Sequence, residues 1–182
     1  GQGDCFVADT KSGAIIFDGG SSSEDQVGRY RILPYMKYLG YQKIQIAVIS
    51  HMDIDHYSGI KELLEMGKIK YLGLPEIPKD ETMKKLIGIA KKRGTTIFYL
   101  SRGRQITTKD GSLKVLHPQK NSQMEKNAAS LVMQGKILGY RVLLTGDVEK
   151  EGEEELLSEE LERADILKAA HHGSKNSTSN EF

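Results

Sequence analysis

Apolar positions along the chain change period several times, and each change marks an element. Phe6 to Ala8 and Ala14 to Phe17 flank a Lys-Ser-Gly turn, which predicts two paired strands, the second closing on Asp18-Gly19-Gly20. Ile32, Met36 and Leu39 share one face at helical spacing, with Gly40 as the stop. Ile44 to Ile49 is apolar without a break and too short for a helix, so it reads as a strand buried on both faces. A second helix carries Ile60, Leu63 and Leu64 up to Gly67, and a strand follows over Ile69 to Leu74. Asp80 is placed to cap a helix bearing Met83, Leu86, Ile87 and Ala90, ended by Gly94. Thr95 to Leu100 is β-branched and aromatic, hence strand. Asp110-Gly111 signals a hairpin between Gln105–Lys109 and Ser112–Leu116, and a second hairpin joins Ser130–Gln134 to Tyr140–Thr145. An acidic helix over Glu153 to Leu161 and a strand over Asp165 to Ala170 complete the series.

Alternating strands and helices in the middle, with hairpins on either side, predict an α/β (α+β) chain. A four-layer αββα sandwich accommodates the hairpins, whereas a doubly wound sheet would lack them. The length of 182 residues suits a single domain over 1–182. No apolar run approaches the roughly 20 residues that span a bilayer, so no direct membrane contact is expected of this segment. No signal-peptide pattern opens the chain, but neither does Met; Gly1-Gln2-Gly3-Asp4 at one end and Glu181-Phe182 at the other read as a piece of something longer. One cysteine, Cys5, excludes an internal disulfide and thiolate-rich zinc, and reads as a small buried hydrophobe. A net charge of +1 argues against gripping nucleic acid by bulk charge alone.

The candidate chemistry sits where three buried-looking strands end. Ser50-His51-Met52-Asp53-Ile54-Asp55-His56 follows the first, Gly146-Asp147 the second and His171-His172-Gly173-Ser174 the third. Strand ends are rigid mounts able to fix several ligands. Histidine and carboxylate together suit zinc, manganese or iron, whereas an all-oxygen set would suit magnesium or calcium. A lone Asp147 is ordinarily a turn residue and a His-His pair can be a capped loop. Four chelating side chains in six positions have no such use, and Asp53 beside Asp55 would repel without a cation. The Lys84, Lys85, Lys91, Lys92 and Arg93 cluster belongs to an amphipathic helix and reads as a solvated face; a DNA track would need Lys120, Lys126 and Lys136 nearby.

His51 to His56 followed by Ser58-Gly59 resembles the signature loop of the metallo-β-lactamase superfamily. Asp18-Gly19-Gly20, Thr145-Gly146-Asp147 and His171 fall where that superfamily keeps its other motifs. Gly1-Gln2-Gly3-Asp4, Asn127-Ala128-Ala129-Ser130-Leu131-Val132, Leu143-Leu144-Thr145-Gly146-Asp147 and Leu167 to Ser174 are similar to one branch, the C-terminal domain of ComEC-type DNA-uptake channels. The resemblance implies two adjacent metal positions, filled by zinc or manganese. His51 and Asp53 would serve the first, Asp55, His56 and His171 the second, with Asp147 bridging. Asp18 would brace the histidine loop. Asp53 replaces the usual second histidine of the loop and the usual third histidine of the first position is absent, Asn127 being the nearest substitute; that harder position tilts toward manganese or weak occupancy. His117 is expected to be structural.

As catalytic residues the resemblance implies Asp55, to orient or deprotonate a water, and His172, to bind substrate or protonate the leaving group unless it replaces His171 as ligand. Ser174, Ser177 and Thr178 form a hydroxyl-rich loop within reach of phosphate oxygens, or an ordinary polar loop. The expected activity is phosphodiester hydrolysis of DNA during uptake. A hydrolase of a small ester, lactone or thioester is the enzymatic alternative, and a non-catalytic DNA-binding module is the third reading. Expected partners are DNA and the membrane channel domain of the same parent chain, placing this segment in the extracytoplasmic space, or in the cytoplasm if it is free-standing. The superfamily sandwich usually continues past the last histidine loop, so an incomplete C-terminal edge and a loosely ordered tail over Ser174–Phe182 are expected.

Overall fold

Strand β1 (Phe6–Thr10) runs antiparallel to β2 (Gly13–Phe17), pairing Phe6 with Phe17 and Thr10 with Gly13 around the two-residue turn. After β2 the chain crosses through a π-helical turn (Gly28–Ile32) and α1 (Leu33–Tyr38) to β3 (Ile44–Val48), parallel to β2. Helix α2 (Ile54–Glu65), β4 (Ile69–Pro75), α3 (Glu81–Lys92) and β5 (Thr96–Leu100) follow, giving one five-stranded sheet in the order β1-β2-β3-β4-β5. The second sheet is built from β6 (Gln105–Thr108), β7 (Gly111–His117), β8 (Val132–Ile137), β9 (Tyr140–Leu144) and β10 (Ile166–Lys168), in the order β10-β9-β8-β7-β6. Helix α4 (Glu151–Leu157) lies between β9 and β10 in the chain. This computed structural model describes residues 3–124, 126–149, 151–158, 161–175, 177 and 179. The chain divides into two units, Gly1–Leu74 with Lys79–Tyr99 and Pro75–Pro78 with Leu100–Phe182.

In the first unit Ile16, Met36, Ile49, Ile60, Leu63, Leu64, Leu72 and Leu86 are fully buried. Each such side chain contributes roughly 1.5–3 kcal/mol by leaving water. Asp80 caps α3 as expected, its carboxylate accepting from Met83 N at 2.7 Å. Gly59 on α2 lets that helix lie against the chain leaving β2: an added Cβ would sit 2.7 Å from Gly19 O and 2.9 Å from Val27 Cγ1. The second unit has its own apolar cluster of Leu116, Val132, Leu143, Val148, Leu156 and Ala170, with Leu161 and Ala164 packed against it.

Four expectations need correction. Asp55 and His56 belong to the first turn of α2 rather than to an irregular loop, because the helix begins at Ile54 with Asp53 as its N-cap residue. The last strand is shorter than expected and is not buried, since β10 is an edge strand with Ile166 40% and Leu167 51% exposed. Cys5 precedes β1 and is exposed as a residue, although its thiol is crowded: desolvation, then the charges of Asp18 and Asp4, push its pKa up to about 12. It is therefore a neutral thiol and no nucleophile. The acidic helix ends at Leu157, short of the expected Leu161, with residues 159–160 outside the described set. Of the tail, Ser177 is buried and donates to Ala170 O at 2.8 Å, which assigns its hydroxyl to the fold; Thr178 and residues 180–182 lie outside the described set.

Candidate functional site

The first ligand group is fixed where β2 and β3 end side by side. Asp18 continues from β2 with φ 58°, a left-handed conformation that short polar side chains tolerate. Its backbone N–H donates to Val48 O at 2.8 Å, Gly19 N to His56 O at 2.8 Å, and Ile60 N to Gly19 O at 2.9 Å, so the strand end is laced onto the first turns of α2. The fully buried Asp18 carboxylate accepts from Ser50 N and Ser50 Oγ, both at 2.7 Å, and lies 2.9 Å from His56 Nδ1.

Donor and acceptor roles settle the histidine tautomers. A carboxylate only accepts, so His56 Nδ1 carries the proton. The Ser50 hydroxyl has given its hydrogen to Asp18, so at 3.0 Å from His51 it is the acceptor, and His51 Nδ1 is also protonated. Both rings therefore turn a lone pair outward from Nε2. His51 Nε2 is buried without a hydrogen-bond partner among the described residues and lies 3.7 Å from Asp53 Oδ2. His56 Nε2 lies 3.8 Å from Asp4 Oδ2, and the two rings are 4.2 Å apart between centroids. Lone pairs facing carboxylate oxygens call for a cation. Two ligand atoms on one metal, with bonds of about 2.0–2.2 Å, stand roughly 3–4 Å apart, so these spacings fit. Asp18 behind His56 is the carboxylate–histidine arrangement that orients metal ligands.

Asp4 was not foreseen as part of this group. The signal was present in Gly1-Gln2-Gly3-Asp4, but that segment precedes the first strand and nothing local places it. Tertiary hydrogen bonds do so: Asp4 N donates to Asp55 O at 3.1 Å and Gly20 N to Asp4 O at 3.2 Å. Gly20 has no room for a side chain, since a Cβ there would lie 2.6 Å from Ile54 O and Asp55 C. Asp53 is exposed and Asp55 half-buried in the first turn of α2.

The second ligand group belongs to the other unit. Asp147 follows β9, is buried, and its N–H donates to Ser130 Oγ at 3.3 Å. Its Oδ1 accepts from Lys168 Nζ at 3.1 Å, and its Oδ2 lies 3.5 Å from His172 Nε2. His171 turns elsewhere, with Nδ1 3.1 Å from Glu149 Oε2. His172, rather than His171, thus stands beside Asp147. Both histidines hold left-handed backbone, φ 45° and 53°; β-carbon-bearing residues do so at a cost of about 1–2 kcal/mol each. Asn127 Oδ1 is a buried acceptor without a hydrogen-bond partner among the described residues.

His117 is structural, as expected. It is fully buried with Nε2 2.7 Å from Ala128 O, and Nδ1 is 3.2 Å from Glu155 Oε2. Burial lowers its pKa, against the raising effects of the Ala128 carbonyl and Glu155.

Two sheets with helices, and histidine–carboxylate groups at their strand ends, define a metallo-β-lactamase fold. The chain belongs to the metallo-β-lactamase superfamily, whose model matches residues 1–182 and whose members are usually metal-dependent hydrolases. Its curated relatives are competence proteins of the ComEC type. It is 35% identical to ComE operon protein 3 of Bacillus subtilis over 201 residues, covering 100% of this chain and 26% of that protein. It is 28% identical to competence protein ComA of Neisseria gonorrhoeae, covering 100% of this chain and 24% of that protein. The chain thus spans about a quarter of the length of these relatives. Among solved structures it resembles Zn(2+)-bound PqqB from Methylobacterium extorquens with a TM-score of 0.56 at 10% identity, over 86% of this chain and 56% of that one. Among the described residues no helix is long and apolar enough to cross a membrane.

Proposed function

We propose that the chain is a metal-dependent phosphodiesterase that hydrolyses DNA in the course of competence-linked uptake. The observation that carries the metal half of this reading is the pair of Nδ1-anchored histidines. Ser50 and Asp18 hold both rings so that each Nε2 presents a lone pair against a carboxylate. His51, Asp53, Asp55 and His56, joined by Asp4, are the proposed ligands of the first group, and Asp147 with His172 those of the second. A zinc or manganese ion held there supplies Lewis acidity and acidifies a bound water toward a pKa of about 7.

The chain's own residues do the rest. Asp55, braced in the first turn of α2, accepts the proton of the attacking water. Asp18 keeps His56 in one tautomer and one orientation. His171, with Nδ1 donating to the Glu149 carboxylate, serves as the imidazolium, giving the Nε2 hydrogen to a phosphate oxygen or its proton to the leaving oxygen. The roles of His171 and His172 are thereby exchanged relative to the sequence expectation. The DNA half of the reading is supported by the relatives' names as competence proteins. The resemblance to ComEC-type DNA-uptake channels supports a parent with a membrane channel domain that presents this segment outside the cytoplasm.

Wild type and Asp55→Ala are to be compared on single- and double-stranded DNA at low salt, with manganese, zinc and magnesium in parallel. Cleavage by wild type and its loss in a folded Asp55→Ala is the expected result. Turnover of a lactone or thioester with no DNA cleavage under any metal would replace this reading by the small-substrate one. Equal cleavage by both proteins would mark a contaminating nuclease.

A further inference from the structure

Two surface hollows in the first unit lie about the segment that carries Asp4; Asp4 lines one of them and His56 neither. One, of about 310 Å³, is of mixed polarity, with Asp4, Ser21, Ser23 and Glu24 beside Cys5 and Val27. The other, of about 300 Å³, is largely apolar, with walls of Val7 and Ile32 and with Arg31 and Tyr35 at its edge. Cys5, Gly20 and Val27 line both.

What faces that end is unusual for a solvated helix. Tyr35 is 49% and Tyr38 84% exposed, on the helical face that continues from Arg31. Arg31 donates through Nε to Glu24 Oε2 at 3.2 Å, an exposed ion pair that draws the guanidinium to the edge of the hollow without holding it rigidly. An aromatic ring beside a positioned guanidinium, over an apolar hollow of this volume, suits a flat uncharged heterocycle attached to an anionic backbone. Bases stack on aromatic side chains whatever their identity, and arginine adds cation–π and phosphate contacts.

We infer that the hollow between β1 and α1 binds one unpaired nucleobase of a single strand, stacked on Tyr35, with Arg31 on the adjoining phosphate. This rests on the DNA phosphodiesterase reading and deepens it. A paired base would have to be extruded, so single strands are preferred over duplex. No base-specific donor set lines the hollow, so sequence preference is weak.

The test is binding of a fluorescent single-stranded oligonucleotide in metal-free buffer, compared with the same strand made wholly abasic. Wild type should bind the normal strand about ten-fold more tightly than the abasic one. Tyr35→Ala should abolish that difference, Tyr35→Phe should keep it, and Arg31→Ala should weaken both strands. Hydrolysis of bis(4-nitrophenyl) phosphate, which has no base, should be unchanged in all three variants. Equal binding of normal and abasic strands by wild type would overturn the subsite. So would a Tyr35→Ala protein that still discriminates while remaining folded by circular dichroism. Hydrolysis of the small phosphodiester persisting in either case would leave the phosphodiesterase reading standing, and its absence under every metal would remove that reading separately.

Discussion

Asp18 holds the first ligand group together, and its removal separates positioning from simple packing. Asp18→Ala deletes a fully buried carboxylate that accepts two hydrogen bonds from Ser50 and orients His56. Breaking a buried charged network of this kind costs about 3–5 kcal/mol. Alanine in the left-handed conformation of residue 18, φ 58°, adds about 1 kcal/mol more. Against a typical total of 5–15 kcal/mol, that variant stands near the limit of folding. Asp18→Asn is the sharper probe. Asparagine tolerates the same backbone and can still accept from Ser50 N, so its stability loss should be about 1–3 kcal/mol. Its amide, however, points N–H groups toward Ser50 and His56. His56 Nδ1 must then accept, the proton moves to Nε2, and the lone pair facing Asp4 is lost. Metal affinity should fall about 10–100-fold, more than the stability loss would suggest. Urea unfolding in the presence of chelator gives the first quantity, and competition with a chromogenic chelator for zinc or manganese gives the second. An Asp18→Asn protein that binds metal as tightly as wild type would refute the tautomer argument.

Four further outcomes are expected. His172→Ala should lower bound metal, read by elemental analysis after dialysis, whereas His171→Ala should retain it and lose turnover; the reverse pattern would restore His171 as the ligand. His117, whose pKa is depressed by burial, is neutral in the fold, so its contribution to stability is complete above its ordinary value of 6.5 and is lost as pH falls below that value toward the depressed one. Denaturation midpoints should therefore drop on acidification, and less steeply in His117→Gln; a parallel drop in both would dismiss the group. Gly59→Ala should destabilise by about 1–3 kcal/mol through the clash with Gly19 O and Val27, measured by thermal unfolding. Asp80→Ala should cost about 1 kcal/mol by removing the cap on α3, and a null effect would show that the Met83 N–H finds water as good a partner.

The sequence by itself determined the elements and the chemistry of the candidate ligands. Helix and strand periods located β1 to β9 and α1 to α3 within a few residues, because amphipathic periodicity is a local property of the chain. His51, Asp53, Asp55 and His56 were legible as ligand types because four such side chains in six positions have no structural use. The tertiary structure alone decided which atoms face each other. Asp4 lies 52 residues from His56 in the chain and is brought to it with the help of hydrogen bonds to Asp55 O and Gly20 N. The choice between His171 and His172 turns on two consecutive left-handed residues, which no side-chain pattern encodes. The Nδ1 protons of His51 and His56 follow from Ser50 and Asp18 meeting across neighbouring strand ends. The exposure of Ile166 and Leu167 has the same origin, since an apolar run is buried or bare according to whether another strand lies beside it. Period and composition are carried by neighbours in the chain, whereas ligand geometry depends on contacts between residues far apart in it.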